Sequence, residues 1–239
     1  KQTPMISPPP PSQQQQQQQS SYSEPIPGLF LFEDFITPEE EQLIVEGLDY
    51  SDVVQWKLST FNGISYGKRW GVHCNLRDRR VDAPTHPLPN FLQSTVITKI
   101  IQLYKSNKSK SNEGSTHCQA NRCPPVLARL LAKHQFQPNE ANAIDYHKRL
   151  NHWLKDHVDD RRLSKEPICN LSLCGDAVMT YRLMNDKKKQ TLLNTKHAHG
   201  EGLHHRVLLK RRCLQIMTGS SRFNFSHGIT KDDILSDRR

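Results

Sequence analysis

The sequence predicts an α+β fold, with helices in the N-terminal half and a sandwich or barrel of short strands after them. Two observations carry this. Apolar residues recur at helical spacing between residues 37 and 131, and from Ala143 onward short apolar runs follow one another with turns between them. A third observation sets the domain boundary. Residues 1–25 hold Pro8-Pro9-Pro10-Pro11 and glutamines from Gln13 to Gln19, with too little apolar surface to offset the entropy of ordering. That tail reads as disordered, and residues 26–239 as one folded domain.

Taken in order, Leu29-Phe30-Leu31-Phe32 reads as a first buried strand after Pro27-Gly28. Thr37-Pro38-Glu39-Glu40 is a helix start: Thr37 caps, Pro38 suits the first helical position, and Glu40 completes a capping box. Leu43, Ile44 and Leu48 give that helix an apolar face. Gly63 and Gly67 read as turns. A second helix covers about 90–105, from Val96, Ile97, Ile100, Ile101 and Tyr104, and Pro124-Pro125 opens a third through Leu127, Leu130 and Leu131. The strands are Ile168–Leu173, Ala177–Tyr181, Arg206–Leu209, Leu214–Met217 and Arg222–His227, with a polar insertion at about 184–204.

The chain carries 33 Lys+Arg against 24 Asp+Glu, a formal charge of +9, with 12 His and 6 Cys in 239 residues. No run approaches a membrane-spanning length, so no membrane association is expected. Six cysteines over this length read as reduced thiols of a cytoplasmic or nuclear protein, and a monomer is expected. The basic balance fits a polyanionic partner without requiring one.

His157-Val158-Asp159 is an H-x-D, whose side chains share a face if the segment is a strand. This composition yields about one H-x-[DE] by chance, and His199-Gly200-Glu201 is a second. Context separates them. His157 lies between Trp153-Leu154 and the Ile168–Leu173 strand, whereas His199 sits in the polar insertion. Further on, strand alternation puts Phe223, Phe225 and His227 on one face. Two His and one carboxylate, leaving coordination positions open, form the donor set of a non-haem Fe(II) site.

These residues, with others in the same order, resemble the AlkB-type Fe(II)/2-oxoglutarate-dependent dioxygenases. The likeness runs through Pro27-Gly28-Leu29, Asp34-Phe35-Ile36, Phe136-Gln137-Pro138-Asn139, Tyr146, His157-Val158-Asp159 and Leu171-Ser172-Leu173. It continues through Lys210-Arg211-Arg212-Cys213-Leu214, Met217-Thr218-Gly219, Arg222-Phe223, Ser226-His227-Gly228-Ile229 and Asp237-Arg238-Arg239. The wide spacing from Tyr146 to His157 and the Asp159-Asp160 doublet are most similar to eukaryotic homologues linked to protein and nucleic-acid demethylation.

The resemblance implies a double-stranded β-helix (jelly-roll) core with supporting N-terminal helices. It implies Fe(II) held by His157, Asp159 and His227, and 2-oxoglutarate as cosubstrate. Tyr146 matches the cosubstrate-binding tyrosine and Arg239 the first Arg of the family's R-x-x-x-x-x-R ending; a fork-shaped guanidinium suits the distal carboxylate. Ile144 stands where the family places an Asn, and Asn142 is the nearest substitute. The second Arg would lie past Arg239, so the domain reads as truncated at its C-terminal strand.

The implied activity is oxidative demethylation of N-methylated nucleic acid bases. The alternatives are demethylation of a protein side chain, or a non-catalytic jelly-roll binding module. The partner is then a methylated nucleic acid or a methylated protein. Trp56, Tyr66, Trp70 and the Arg77/Arg79/Arg80 group fall where relatives carry a substrate lid. From these, Trp70, Arg77 and Arg79 are the expected substrate contacts, against core packing of the Trp rings and plain solvation of the arginines. Cys118-x₄-Cys123 reads as plain thiols, Cys169 and Cys174 as neighbours of a core strand, His197, His199, His204 and His205 as a mobile loop, and Lys187–Lys189 as a solvated run.

Overall fold

Leu29-Phe30-Leu31-Phe32 forms a strand buried on both faces, so its apolar residues are continuous rather than alternating. The computed structural model describes residues 22–50, 53–105, 123–133, 136–184 and 203–237. The polyglutamine run, Cys118, Lys187–Lys189, His197, His199 and Arg239 lie outside the described residues. Strand β1 (Tyr22–Ile26) precedes β2 (Leu29–Phe32) and pairs with it antiparallel, Tyr22 opposite Phe32. Strand β1 thus includes residues 22–25 of the segment expected to be tail, with the Tyr22 ring edge-on to Phe30 and tilted against Phe32.

Helix α1 (Pro38–Asp49) starts with the capping box: Thr37 N–H donates to Glu40 Oε2 at 2.8 Å and Glu40 N–H to Thr37 Oγ1 at 3.2 Å. Its inner face differs from the expected one. Glu41, Ile44 and Leu48 are buried, while Leu43 is 60% exposed. Glu41 tolerates burial because Arg211 Nε donates to it at 2.6 Å and the Cys174 N–H at 2.7 Å.

Next come β3 (Lys57–Ser59), β4 (Gly63–Gly71) and the hairpin β5 (His73–Asn75) with β6 (Arg80–Asp82). Gly63 and Gly67 lie within β4 rather than in turns. Gly63, at φ +120°, lies against the backbone of Trp153-Leu154; a Cβ there would sit 2.1 Å from the Trp153 carbonyl oxygen. A π-helical stretch, Leu92–Ile97, runs into α2 (Thr98–Lys105), and α3 (Pro125–Lys133) follows.

The remaining strands are β7 (Glu140–Asp145), β8 (Trp153–His157), β9 (Ile168–Leu171), β10 (Ala177–Leu183), β11 (His204–Leu209) and β12 (Leu214–Met217). Helix α4 (Gly219–Phe223) and β13 (Phe225–Ile229) complete the order. The expected strand Arg222–His227 thus divides: Arg222 and Phe223 are helical, and inward alternation holds for Phe225, His227 and Ile229, all buried. Among the described residues no helix is long and apolar enough to cross a membrane.

The strands form two facing antiparallel sheets. The smaller has the order β1-β2-β12-β9 and the larger β11-β10-β13-β8-β4-β3, with β7 beside β4. One face of the small sheet (Phe30, Phe32, Leu214, Ile216) packs on Ile44, Leu48, Ile100, Leu127 and Leu131 of the helices. Its other face (Leu29, Leu31, Met217) meets Met179, Tyr181, Phe225 and Ile229 of the large sheet. The helices thus back one sheet and leave the space between the sheets to the site.

After β13 the chain is pinned to β11. Asp233, 5% exposed, accepts from Arg206 at 2.5 Å and from the Thr230 hydroxyl at 2.7 Å. Burial works against its charge, but Arg206 and Thr230 outweigh it and hold the carboxyl below the usual range. A depressed folded pKa contributes stability that is present above the unfolded value, near 4, and is lost as pH falls through the folded one. Asp233→Asn is expected to cost about 1–2 kcal/mol at pH 7, a figure kept low by the exposure of Arg206. The gap to wild type should close below about pH 4. Urea melts at pH 7 and pH 3 check this; a pH-independent difference would show that the pair contributes nothing.

Candidate metal centre

His157 and His227 are direct cross-strand partners on β8 and β13. Their rings lie 4.6 Å apart between centroids. His157 Nδ1 sits 2.8 Å from the Lys155 carbonyl, which suits an N–H donor there and turns the Nε2 lone pair towards the site. Asp159 lies beyond the end of β8, so it reaches the site through a loop and not through strand alternation. Asp160 Oδ1 nucleates that loop by accepting the N–H groups of Arg162 and Leu163 at 2.9 and 2.5 Å.

The Asp159 carboxylate then spans both rings, with Oδ1 3.4 Å from His157 Nε2 and Oδ2 3.7 Å from His227 Nε2. One ligand atom from each residue lies within 4.8 Å of the others. Among the described residues this is the one such group.

The charge states of His227 and Asp159 fit a divalent cation. Burial pushes His227 down to about 4, which leaves a neutral imidazole. Burial opposes the ionised form of Asp159, yet His157, His227 and Arg222 together hold its carboxyl below the usual range. For His157 burial lowers the pKa, and the contacts to Asp159 and the Lys155 carbonyl more than reverse it. Two imidazoles and one carboxylate with positions left open match the facial donor set of Fe(II) oxygenases.

The other predicted residues separate. Tyr146, just past β7, packs on the cluster containing Tyr181, which stacks beside His227 at 5.7 Å. Burial pushes its phenol up, so it remains a donor. Asn142 is exposed on β7; its carbonyl accepts from Arg69 Nε at 3.0 Å and its amide donates to Glu140 at 3.1 Å. Ile144 is exposed as well.

Trp70 is 4% exposed and belongs to the helix-side core, so its ring presents no face for a base to stack on. The reason lies in the second half of β4, where alternation buries Lys68 and Trp70 and leaves Arg69 outside. Trp56 is half-buried, donating from its indole to Asp49 at 3.2 Å.

Arg77 and Arg79 are exposed in the turn joining β5 to β6, where Asp78 N–H donates to Asn75 Oδ1 at 3.0 Å. Arg80 pairs with Asp82 and Asp78, whereas Arg77 and Arg79 form no ion pair among the described residues. The hairpin reaches the metal loop through Cys74, whose thiol lies 3.8 Å from Ser164 Oγ and donates to Glu140 at 3.3 Å.

Sequence reasoning missed Arg222, which grips the same loop, and the buried pair Tyr181–Gln215. Gln215 is an amide fully buried on β12, bonded to the Tyr181 hydroxyl and to Asn170. The signal for it was a lone glutamine in an otherwise apolar strand.

With this geometry in place, the 2OG-Fe(II) oxygenase superfamily model matches residues 28–236, and the chain belongs to that family. Within it the chain is an AlkB-type member, a class whose cofactor is Fe(II) and whose cosubstrate is 2-oxoglutarate. It is 25% identical over 206 residues to the Mus musculus tRNA (carboxymethyluridine(34)-5-O)-methyltransferase ALKBH8, covering 85% of this chain and 24% of that protein. It is 24% identical over 233 residues to the Mus musculus alpha-ketoglutarate-dependent dioxygenase alkB homolog 4, covering 90% of this chain and 66% of the relative. The chain thus spans about a quarter of the length of the methyltransferase relatives. The solved structure of OsALKBH1 superposes with a TM-score of 0.56 at 16% identity, covering 87% of both chains, a likeness of fold.

Proposed function

We propose that this protein is an Fe(II)- and 2-oxoglutarate-dependent demethylase of N-methylated nucleic acid bases, built on a double-stranded β-helix. The observation that carries the reading is the convergence of His157, Asp159 and His227, with the Asp159 loop meeting, through Ser164 and Cys74, a hairpin bearing two arginines with no ion pair among the described residues. In this reading the three residues hold Fe(II). When bound, the metal with 2-oxoglutarate and O₂ supplies the oxidation: one oxygen atom enters the N-methyl group and the other enters succinate, with loss of CO₂. The hydroxymethyl product collapses to the free base and formaldehyde.

The chain's own residues bind and orient. Tyr146, kept protonated by burial, donates to a cosubstrate oxygen. The apolar wall of Met179, Phe225 and Ile229 excludes water. Arg77 and Arg79 contact phosphates. As part of the same reading the protein acts as a monomer in the cytoplasm or nucleus, which size exclusion and cell fractionation test.

The deciding experiment incubates the full chain with Fe(II), 2-oxoglutarate and oligonucleotides carrying N-methylated adenine or cytosine. Succinate and formaldehyde in equal amounts, both lost in His157→Ala, are expected. Turnover with methylated peptides alone would move the substrate class to protein. Tight Fe(II) binding without turnover on either would leave a binding module.

Arg79 allows a cleaner test of the phosphate contact. At φ +52° it sits in the left-handed region, which costs a non-glycine residue about 1 kcal/mol. Arg79→Gly removes that strain and returns a comparable chain entropy, so the melting temperature should hardly move. Oligonucleotide affinity should fall, and the slope of log K against log salt should shrink by about 0.7–0.9. An unchanged slope removes Arg79 from the interface.

A further inference from the structure

Arg222 is 2% exposed, among the largest fully buried side chains, and has no carboxylate within ion-pair distance among the described residues. Its guanidinium is spent on backbone carbonyls. One terminal nitrogen donates to Asp159 O at 3.0 Å; the other donates to Asp160 O and, at 3.1 Å, to Ser164 O. Nε is buried with no partner. Burial works against this cation more than the nearby Asp159, Asp160 and Glu166 carboxylates favour it. Its hydrogen bonds end on neutral acceptors with one N–H unsatisfied, an arrangement that is unfavourable unless it secures something else.

What it secures is the loop of Asp159. No ladder bond holds that residue, because β8 ends at His157. Arg222 replaces the missing strand partner by tying down three carbonyls between residues 159 and 164. Only Asn224 separates helix α4 from β13, so one short unit of chain delivers both His227 and the clamp on Asp159. The clamp extends outward, since Ser164 is the residue that meets Cys74 beneath the arginine hairpin.

We propose that Arg222 is a positioning residue for the metal-binding carboxylate: it fixes the backbone of Asp159 so that the carboxylate meets both histidines. The inference rests on the iron-site reading above. The three carbonyls are shared between two guanidinium nitrogens, whereas Lys brings its three donors on a single nitrogen, so Lys should not substitute for it.

The test uses the metal-free full chain titrated with Co(II), whose d–d absorption reports ligand geometry. Wild type, Arg222→Lys, Arg222→Met and Arg222→Ala are compared after thermal melts. Expected are Co(II) affinities about 10- to 100-fold weaker in all three variants, the scale for losing a group that orients a ligand. The absorption envelope should change, and a few millimolar guanidinium should restore part of it in Arg222→Ala. A folded Lys or Met variant with wild-type affinity and spectrum overturns the proposal. So does loss of fold in all three variants that guanidinium does not reverse, since Arg222 would then be a structural residue. Failure of wild type to bind Co(II) would instead sink the iron-site reading itself.

Discussion

Asp159→Ala is expected to abolish Fe(II) binding and all 2-oxoglutarate turnover, with the fold intact. The carboxylate contributes the site's one negative donor and spans two histidines, 3.4 and 3.7 Å from their Nε2 atoms. Without it two neutral imidazoles remain, a set that no longer offsets the dehydration of a divalent cation. The loss should exceed the roughly 100-fold that removing an orienting neighbour costs. Stability should change by less than about 1 kcal/mol, because the side chain is 27% exposed and the loop is held by backbone carbonyls rather than by this carboxylate. Asp159→Asn, which keeps an oxygen donor without its charge, should fall in between. Calorimetric titration with Fe(II) under anaerobic conditions measures all three. Wild-type affinity in Asp159→Ala would mean that these residues do not form the centre.

The difference between Asp159 and its histidine partners shows what a sequence can carry. The LFLF run, the Thr37–Glu40 box and the Leu214–Met217 strand are local: each is written in adjacent residues, and each forms where the sequence places it. The H-x-D pair was found for a partly mistaken reason. Strand alternation suggested a shared face, yet the strand stops at His157 and an Asx turn with a buried guanidinium brings Asp159 back.

Arg222 was not legible because its role depends on carbonyls some sixty residues earlier, and no local pattern records a side chain bonded to a distant backbone. Reading residues 222–227 as one strand also concealed the helical turn that aims it. Leu43 and Glu41 fail similarly. Helical spacing fixes which residues share a face, but the distant Arg211 decides that a glutamate rather than a leucine points inward. Membership of the 2OG-Fe(II) oxygenase family was legible because it lay in the order of many short segments, not in any one of them.

The aromatic residues of the 56–80 segment present the same problem at larger scale, and Trp70 allows it to be decided by measurement. A tryptophan flanked by Arg69 on one strand reads equally as a base platform or as core until the facing layer is known. Here that layer includes Phe30, Phe32, Ile36 and Leu48, and 4% of Trp70 remains exposed. Trp70→Ala should therefore cost about 3–5 kcal/mol, the range for truncating a buried aromatic ring. At about 2–4 °C per kcal/mol for a domain of this size, the melting temperature should fall by about 6–20 °C. Trp70→Phe, which keeps most of the apolar volume, should recover most of that loss. Oligonucleotide affinity of the Phe variant should equal that of wild type, because the ring offers no face to a ligand. A Trp70→Ala protein that melts like wild type yet loses oligonucleotide affinity would return the ring to the substrate site and remove it from the core.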